Sequence, residues 1–142
     1  MSSWLIYALL SALMAALVAI FGKIGLQNLD ANTATAIRAV VMALFLIGVV
    51  VQQGKLNLVS EVFADRKALL FIVLSGVAGA LSWLFYFMAI KTGDVSKVAP
   101  IDKLSVVFAV ILAVILFGEK ISFLAMGGVA LIAAGSLLVA LG

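Results

Sequence analysis

Five long apolar stretches alternate along the chain with short polar connections. A helix needs about 20 apolar residues to cross the hydrocarbon layer of a bilayer, and the runs at 3–22, 31–51, 68–90, 95–117 and 121–141 approach or exceed that length. The pattern predicts an all-α, polytopic membrane protein, a single five-helix transmembrane domain over 1–142. The spans use up nearly the whole chain. No soluble catalytic domain fits beside them, so the function must lie among the helices.

The polar positions that interrupt these spans are more informative than the spans themselves. In the fourth, Val98-Ala99-Pro100-Ile101-Asp102-Lys103 sets a proline and two opposite charges against a run, 104–117, that carries no ionisable residue. A helix that enters the bilayer near Val95 carries Asp102 and Lys103 below the surface, where an isolated charge costs roughly 2.5–3.5 kcal/mol on insertion scales and marks a candidate functional site. If the helix instead begins at Pro100, a favoured first-turn residue, both side chains snorkel to the headgroups. In a continuous helix Pro100 frees the Ser96 carbonyl and crowds the same turn, which predicts a hinge beside the two charges. Adjacent residues on a helix point about 100° apart, so Asp102 and Lys103 are expected to have different partners, with Arg38 a candidate for Asp102.

Arg38 lies about 10 Å inside the second span at the helical rise of 1.5 Å per residue, deep for a side chain that would otherwise snorkel. The third span holds Trp83, Tyr86 and Phe87 at spacings that share one helical face. These rings either line a cavity, offering an indole N–H and a phenol O–H, or belong to an interfacial aromatic belt. Small residues recur where helices could approach closely: Ala8, Ala12, Ala15, Ala19 and Gly22 in the first span, Gly76 and Gly79 in the third, Gly128 and Gly135 in the fifth. The last pair suits a seam within one subunit or between two. Asp30 or Asn32 is placed to cap the second helix, and Asp94 or Ser96 the fourth. The connection 52–67 is expected to be solvated, with one interfacial helical turn.

Composition narrows the function class. The chain is 67% hydrophobic and 11% charged, with a mean hydropathy of +1.39. It has no cysteine or histidine, which argues against structural zinc, haem or iron–sulfur sites and leaves carboxylate-only metal binding open. No cofactor and no metal site are assigned. The net charge of +3 has no basic run, so nucleic acid is not an expected partner. The first span lacks a cationic leader segment and reads as a retained span. No nucleophile–base pair or glycine-rich phosphate loop suggests an enzyme.

Five spans place the termini on opposite sides. Outside the deep positions, Lys55, Arg66, Lys67 and Lys120 fall on the side of the N-terminus, and Lys23, Lys91 and Lys97 on the other. This is almost no bias under the positive-inside rule, so insertion in both orientations is expected. The spans also place Arg38, Asp102 with Lys103, and Trp83 with Tyr86 in the same half of the membrane. One copy would then open a polar, aromatic funnel toward one face only. Two oppositely oriented copies would serve both, as in inverted-repeat transporters.

The pattern Trp83-x-x-Tyr86-x-x-x-Ala89, then Gly93-x-x-Ser96-x-Val98-Ala99-Pro100-Ile101, Lys103-x-Ser105, Gly118-Glu119-Lys120 and Gly128-x-x-Leu131-Ile132-x-x-Gly135, resembles the EamA-type branch of the drug/metabolite transporter superfamily. Thr35-Ala36-Ile37-Arg38 fits the same pattern. The resemblance covers nearly the whole chain. It implies an all-helical fold in which larger relatives carry two inverted five-helix copies where this chain has one, and hence a homodimer, antiparallel by the charge balance. Relatives export or import amino acids and other small metabolites. The glycines of the fifth span also look like the dimer seam of the small multidrug resistance branch, but the carboxylate that branch needs in its first span is missing here.

The leading expectation is a secondary transporter of a small polar, anionic or zwitterionic metabolite, multi-pass in the cell (inner) membrane. Arg38 and Lys103 would bind the substrate's negative charge, Asp102 or Lys103 would couple protons, and Trp83 and Tyr86 would shape the cavity. Two alternatives remain: an organic-cation exporter that uses Asp102 as counter-charge, and a non-transporting subunit that pairs with a related half.

Overall fold

A computed structural model describes residues 3–142. They form seven helices: α1 (Ser3–Gly25), α2 (Ala31–Gln52), α3 (Leu58–Ala64), α4 (Arg66–Thr92), α5 (Val95–Asp102), α6 (Leu104–Phe117) and α7 (Phe123–Leu141). Five helical stretches are long and apolar enough to cross a membrane: α1, α2, α4, α7, and α5 with α6 taken together. No strand occurs among the described residues. Phe117, Phe123 and Leu124 are 78%, 90% and 86% exposed, and few side chains are fully covered. In water such a surface would be untenable, whereas in hydrocarbon it is the expected lipid-facing surface.

Several boundaries have a local cause. Asp30 caps α2, its Oδ2 accepting the Thr33 amide at 2.8 Å and the Thr33 hydroxyl at 3.0 Å. Asp65 Oδ1 accepts the Ala68 amide at 3.0 Å at the start of α4, and Ser122 accepts the Ala125 amide at 3.1 Å at the start of α7. Asp94 stands at the N-cap of α5 in extended backbone, without a side-chain cap bond. Gly118 ends α6 with φ 65°, a left-handed conformation that glycine adopts without steric cost. The connection after α2 contains a full seven-residue helix, α3, more than the single turn expected of it.

The fourth span does not begin at Pro100. Its helix starts at Val95, holds Pro100 inside α5, and breaks at Lys103. The Lys103 amide reaches Ala99 O at 3.3 Å and Pro100 O at 3.1 Å. This tightened turn replaces regular helix just after the proline-disrupted stretch.

The chain divides into two compact units, Met1–Ile24 with Ala89–Gly142, and Gly25–Met88. In the first, α5 and α6 both pack on α7. The same unit contains a clamp: the Lys23 ammonium donates to Ile90 O and, at 2.9 Å, to Gly93 O. The last carbonyls of a helix have no intrahelical donor and carry the negative end of the helix dipole. Lys23 of α1 therefore supplies both protons and charge to the end of α4. The second unit contains α2, α3 and most of α4.

Candidate functional site

Within the second unit, α2 and α4 border an open groove of about 480 Å³. One end is polar and aromatic, with Asn32, Thr35 and Arg38 from α2 and Trp83 from α4; the other is lined by Met42, Leu46, Gly76 and Gly79. Asn32, Thr35 and Arg38 follow one another at intervals of three, which places them on one face of α2. Gly76 and Gly79 leave the wall bare, since a Cβ at either would meet nothing within 4 Å.

Arg38 is the chemical centre of this groove. Its Cζ lies 3.7 Å from the centroid of the Trp83 ring and 5.2 Å from that of Phe87. Trp83 is held edge-on by Tyr86, with centroids 5.7 Å apart and planes at 85°, and by Phe87, at 5.7 Å and 77°. A guanidinium over an indole face gains cation–π attraction of about 0.5–2 kcal/mol, depending on desolvation. The stack fixes the plane of the fork while leaving its edge N–H groups free to bind an anion. Among the described residues of this unit no carboxylate pairs with Arg38. Tyr86 supports Trp83 and is not among the groove's lining residues.

The two charges of the fourth span are arranged differently from the sequence expectation. Lys103 Nζ lies 3.3 Å from Asp102 Oδ2, so the neighbours pair with each other at a partly exposed site. The 100° separation that argued for different partners holds only in regular helix. The break at Lys103, together with a long flexible side chain, removes that constraint. Arg38, a candidate partner for Asp102 from the sequence, stacks on Trp83 within its own unit. At Gly128 and Gly135, as at Gly76 and Gly79, an added Cβ would meet nothing within 4 Å. A second groove, of about 340 Å³ between α6 and α7, is lined only by Val, Ile, Met and Ala side chains and offers a charged solute nothing to bind.

Three contributions were not legible as functional. Thr35 and Asn32 looked like a motif residue and a cap, although their spacing from Arg38 is a usable polar-ladder signal. Lys23 looked like an ordinary span-end anchor.

Residues 2–141 match the family described as the EamA-like transporter family. The chain belongs to that family. A Sinorhizobium protein named "Uncharacterized transporter in cobO 3'region" is 45% identical over 138 residues, covering 97% of this chain and 96% of that protein. No solved structure matches. EamA membership and five apolar helical stretches make this a multi-pass membrane protein of a transporter family. The α2–α4 groove, with Arg38 and Trp83 at its polar end, is the candidate solute site of this EamA chain.

Proposed function

We propose that the chain is a secondary transporter of a small metabolite with a negative charge, anionic or zwitterionic, working by alternating access in the cell (inner) membrane. The observation that carries this reading is Arg38: a cation within a membrane span, stacked on Trp83, bordering a groove and without a carboxylate partner in its own unit. An unpaired intramembrane charge is costly and is found where it serves a substrate or ion path. A carboxylate or phosphate would complete it, and the guanidinium fork matches such groups bidentately. Lys103 and Asp102, paired at the helix break, are the second charged element of this reading, one of them coupling protons, and Pro100 is the hinge beside them. Cation export through Asp102 has less support, because Asp102 is paired with Lys103 and the Trp83 face is covered by Arg38.

The working unit in this proposal is an antiparallel homodimer, since one chain holds five spans with nearly balanced flanking charge. Gly128 and Gly135, open in a single chain, would form the seam.

Purified protein in liposomes is expected to take up labelled carboxylates, with inhibition by other carboxylates and none by quaternary amines. Inhibition by amines alone would move the site to Asp102. The chain has no cysteine, so a single Lys55→Cys substitution can report orientation in cells. With flanking charge this balanced, about half of the molecules are expected to label from each side. Labelling from one side only would overturn the antiparallel homodimer.

A further inference from the structure

Thr35 is 8% exposed and lines the groove one helical turn from Arg38. Its Oγ1 donates to the Ala31 carbonyl at 2.7 Å. A hydroxyl has one proton and two lone pairs, and here the proton is committed to the backbone. What Thr35 offers the groove is therefore acceptor capacity only. Side chains at i and i+3 of a helix stand about 5–6 Å apart at their β-carbons. The groove thus sets an acceptor close to the free cation of Arg38.

We infer that Thr35 is a specificity-determining residue. The site takes molecules that carry an ammonium, or another N–H or O–H donor, within about one helical turn of the anionic group held by Arg38. This rests on the reading that Arg38 receives an anion, and it narrows the substrate from any anionic or zwitterionic metabolite to compact zwitterions and donor-bearing anions. A simple anion leaves the shielded lone pairs of Thr35 facing apolar wall or a like-charged oxygen, which costs binding energy. A zwitterion satisfies Arg38 and Thr35 together, and Asn32 lines the same groove one turn further along α2. Beyond these groups the groove is walled by Met42, Leu46, Gly76 and Gly79. The body that fits there is apolar.

The test uses the full chain in nanodiscs with Trp4→Phe, which leaves Trp83 as the only tryptophan and its emission as the report on the groove. The probes are leucine and 4-methylpentanoate, the same carbon skeleton without the ammonium. Leucine is expected to bind about tenfold more tightly, the scale of one charge-assisted hydrogen bond. Thr35→Val, which keeps the shape and removes the acceptor, is expected to erase that preference while leaving 4-methylpentanoate within about twofold, a bond it never made. Retained binding of 4-methylpentanoate shows that the variant is folded, and Thr35→Ser restores the preference. A leucine preference that survives Thr35→Val overturns the assignment. Arg38→Gln tests the underlying reading separately: it should weaken both probes, and unchanged binding of both would refute the anion site whatever Thr35 does. Failure of both probes to bind the parent protein overturns both.

Discussion

Arg38→Ala is expected to abolish concentrative uptake of carboxylates by the reconstituted protein while leaving a folded, extractable membrane protein. The guanidinium is the unpaired cation of the α2–α4 groove, and its contacts there are rings, not counter-charges. Losing it removes charge-assisted hydrogen bonds to the substrate, each worth about 1.5–3 kcal/mol, which corresponds to roughly a tenfold to hundredfold loss of affinity. Truncation strands no partner, because Trp83 remains braced by Tyr86 and Phe87. Arg38→Lys separates charge from shape. A lysine keeps the charge but neither stacks as a plane nor presents a bidentate fork, so it should restore only part of the uptake. Wild-type transport by Arg38→Ala would remove the basis for an anion site.

The second large effect is expected at Lys23. Lys23→Met keeps an unbranched apolar stem but withdraws the ammonium from the carbonyls of Ile90 and Gly93. Partly buried carbonyls left without a donor cost about 1–3 kcal/mol each, and the bonds lost here are charge-assisted. A net destabilisation of about 2–3 kcal/mol follows, read as a fall of roughly 5–10 °C in apparent Tm in detergent. Amide exchange at residues 93–98 should accelerate with it. Gly93→Ala attacks the same turn from another side, because a Cβ there would sit 3.2 Å from both Ala89 O and Val98 Cγ2. If Lys23→Met unfolds at the wild-type temperature, the clamp does not stabilise the end of α4.

The contrast between these two lysine and arginine positions shows what the sequence can and cannot reveal. The five spans are legible because bilayer thickness imposes a minimum length that the apolar runs meet, whichever helices become neighbours. The α2 cap at Asp30 is legible because capping is local. The disruption of the fourth span is equally local, and the break falls at Lys103, beside the charges it was expected to adjoin. Partnerships are another matter. Periodicity places Arg38 on a face of α2 but does not say which helix that face meets, so an aromatic partner and an acidic one look equally good. Asp102 and Lys103 were separated by an argument valid only for unbroken helix, and the break brings them together. Lys23 stands 67 residues from one of its acceptors, and nothing in its own neighbourhood distinguishes a clamp from an anchor.

The two inter-helix links differ in a way that bears on which pair of helices can part. Between α6 and α7 the chain has only residues 118–122, entered through left-handed Gly118 and closed by the Ser122 cap. Between α2 and α4 it has residues 53–65, with α3 lying between them. Lengthening a tether costs little conformational free energy, but a five-residue link reaches at most about 17 Å even when fully extended. The tether leaves the α2–α4 mouth slack to widen and narrow, while α6 and α7, already packed on each other, are held on the shorter link.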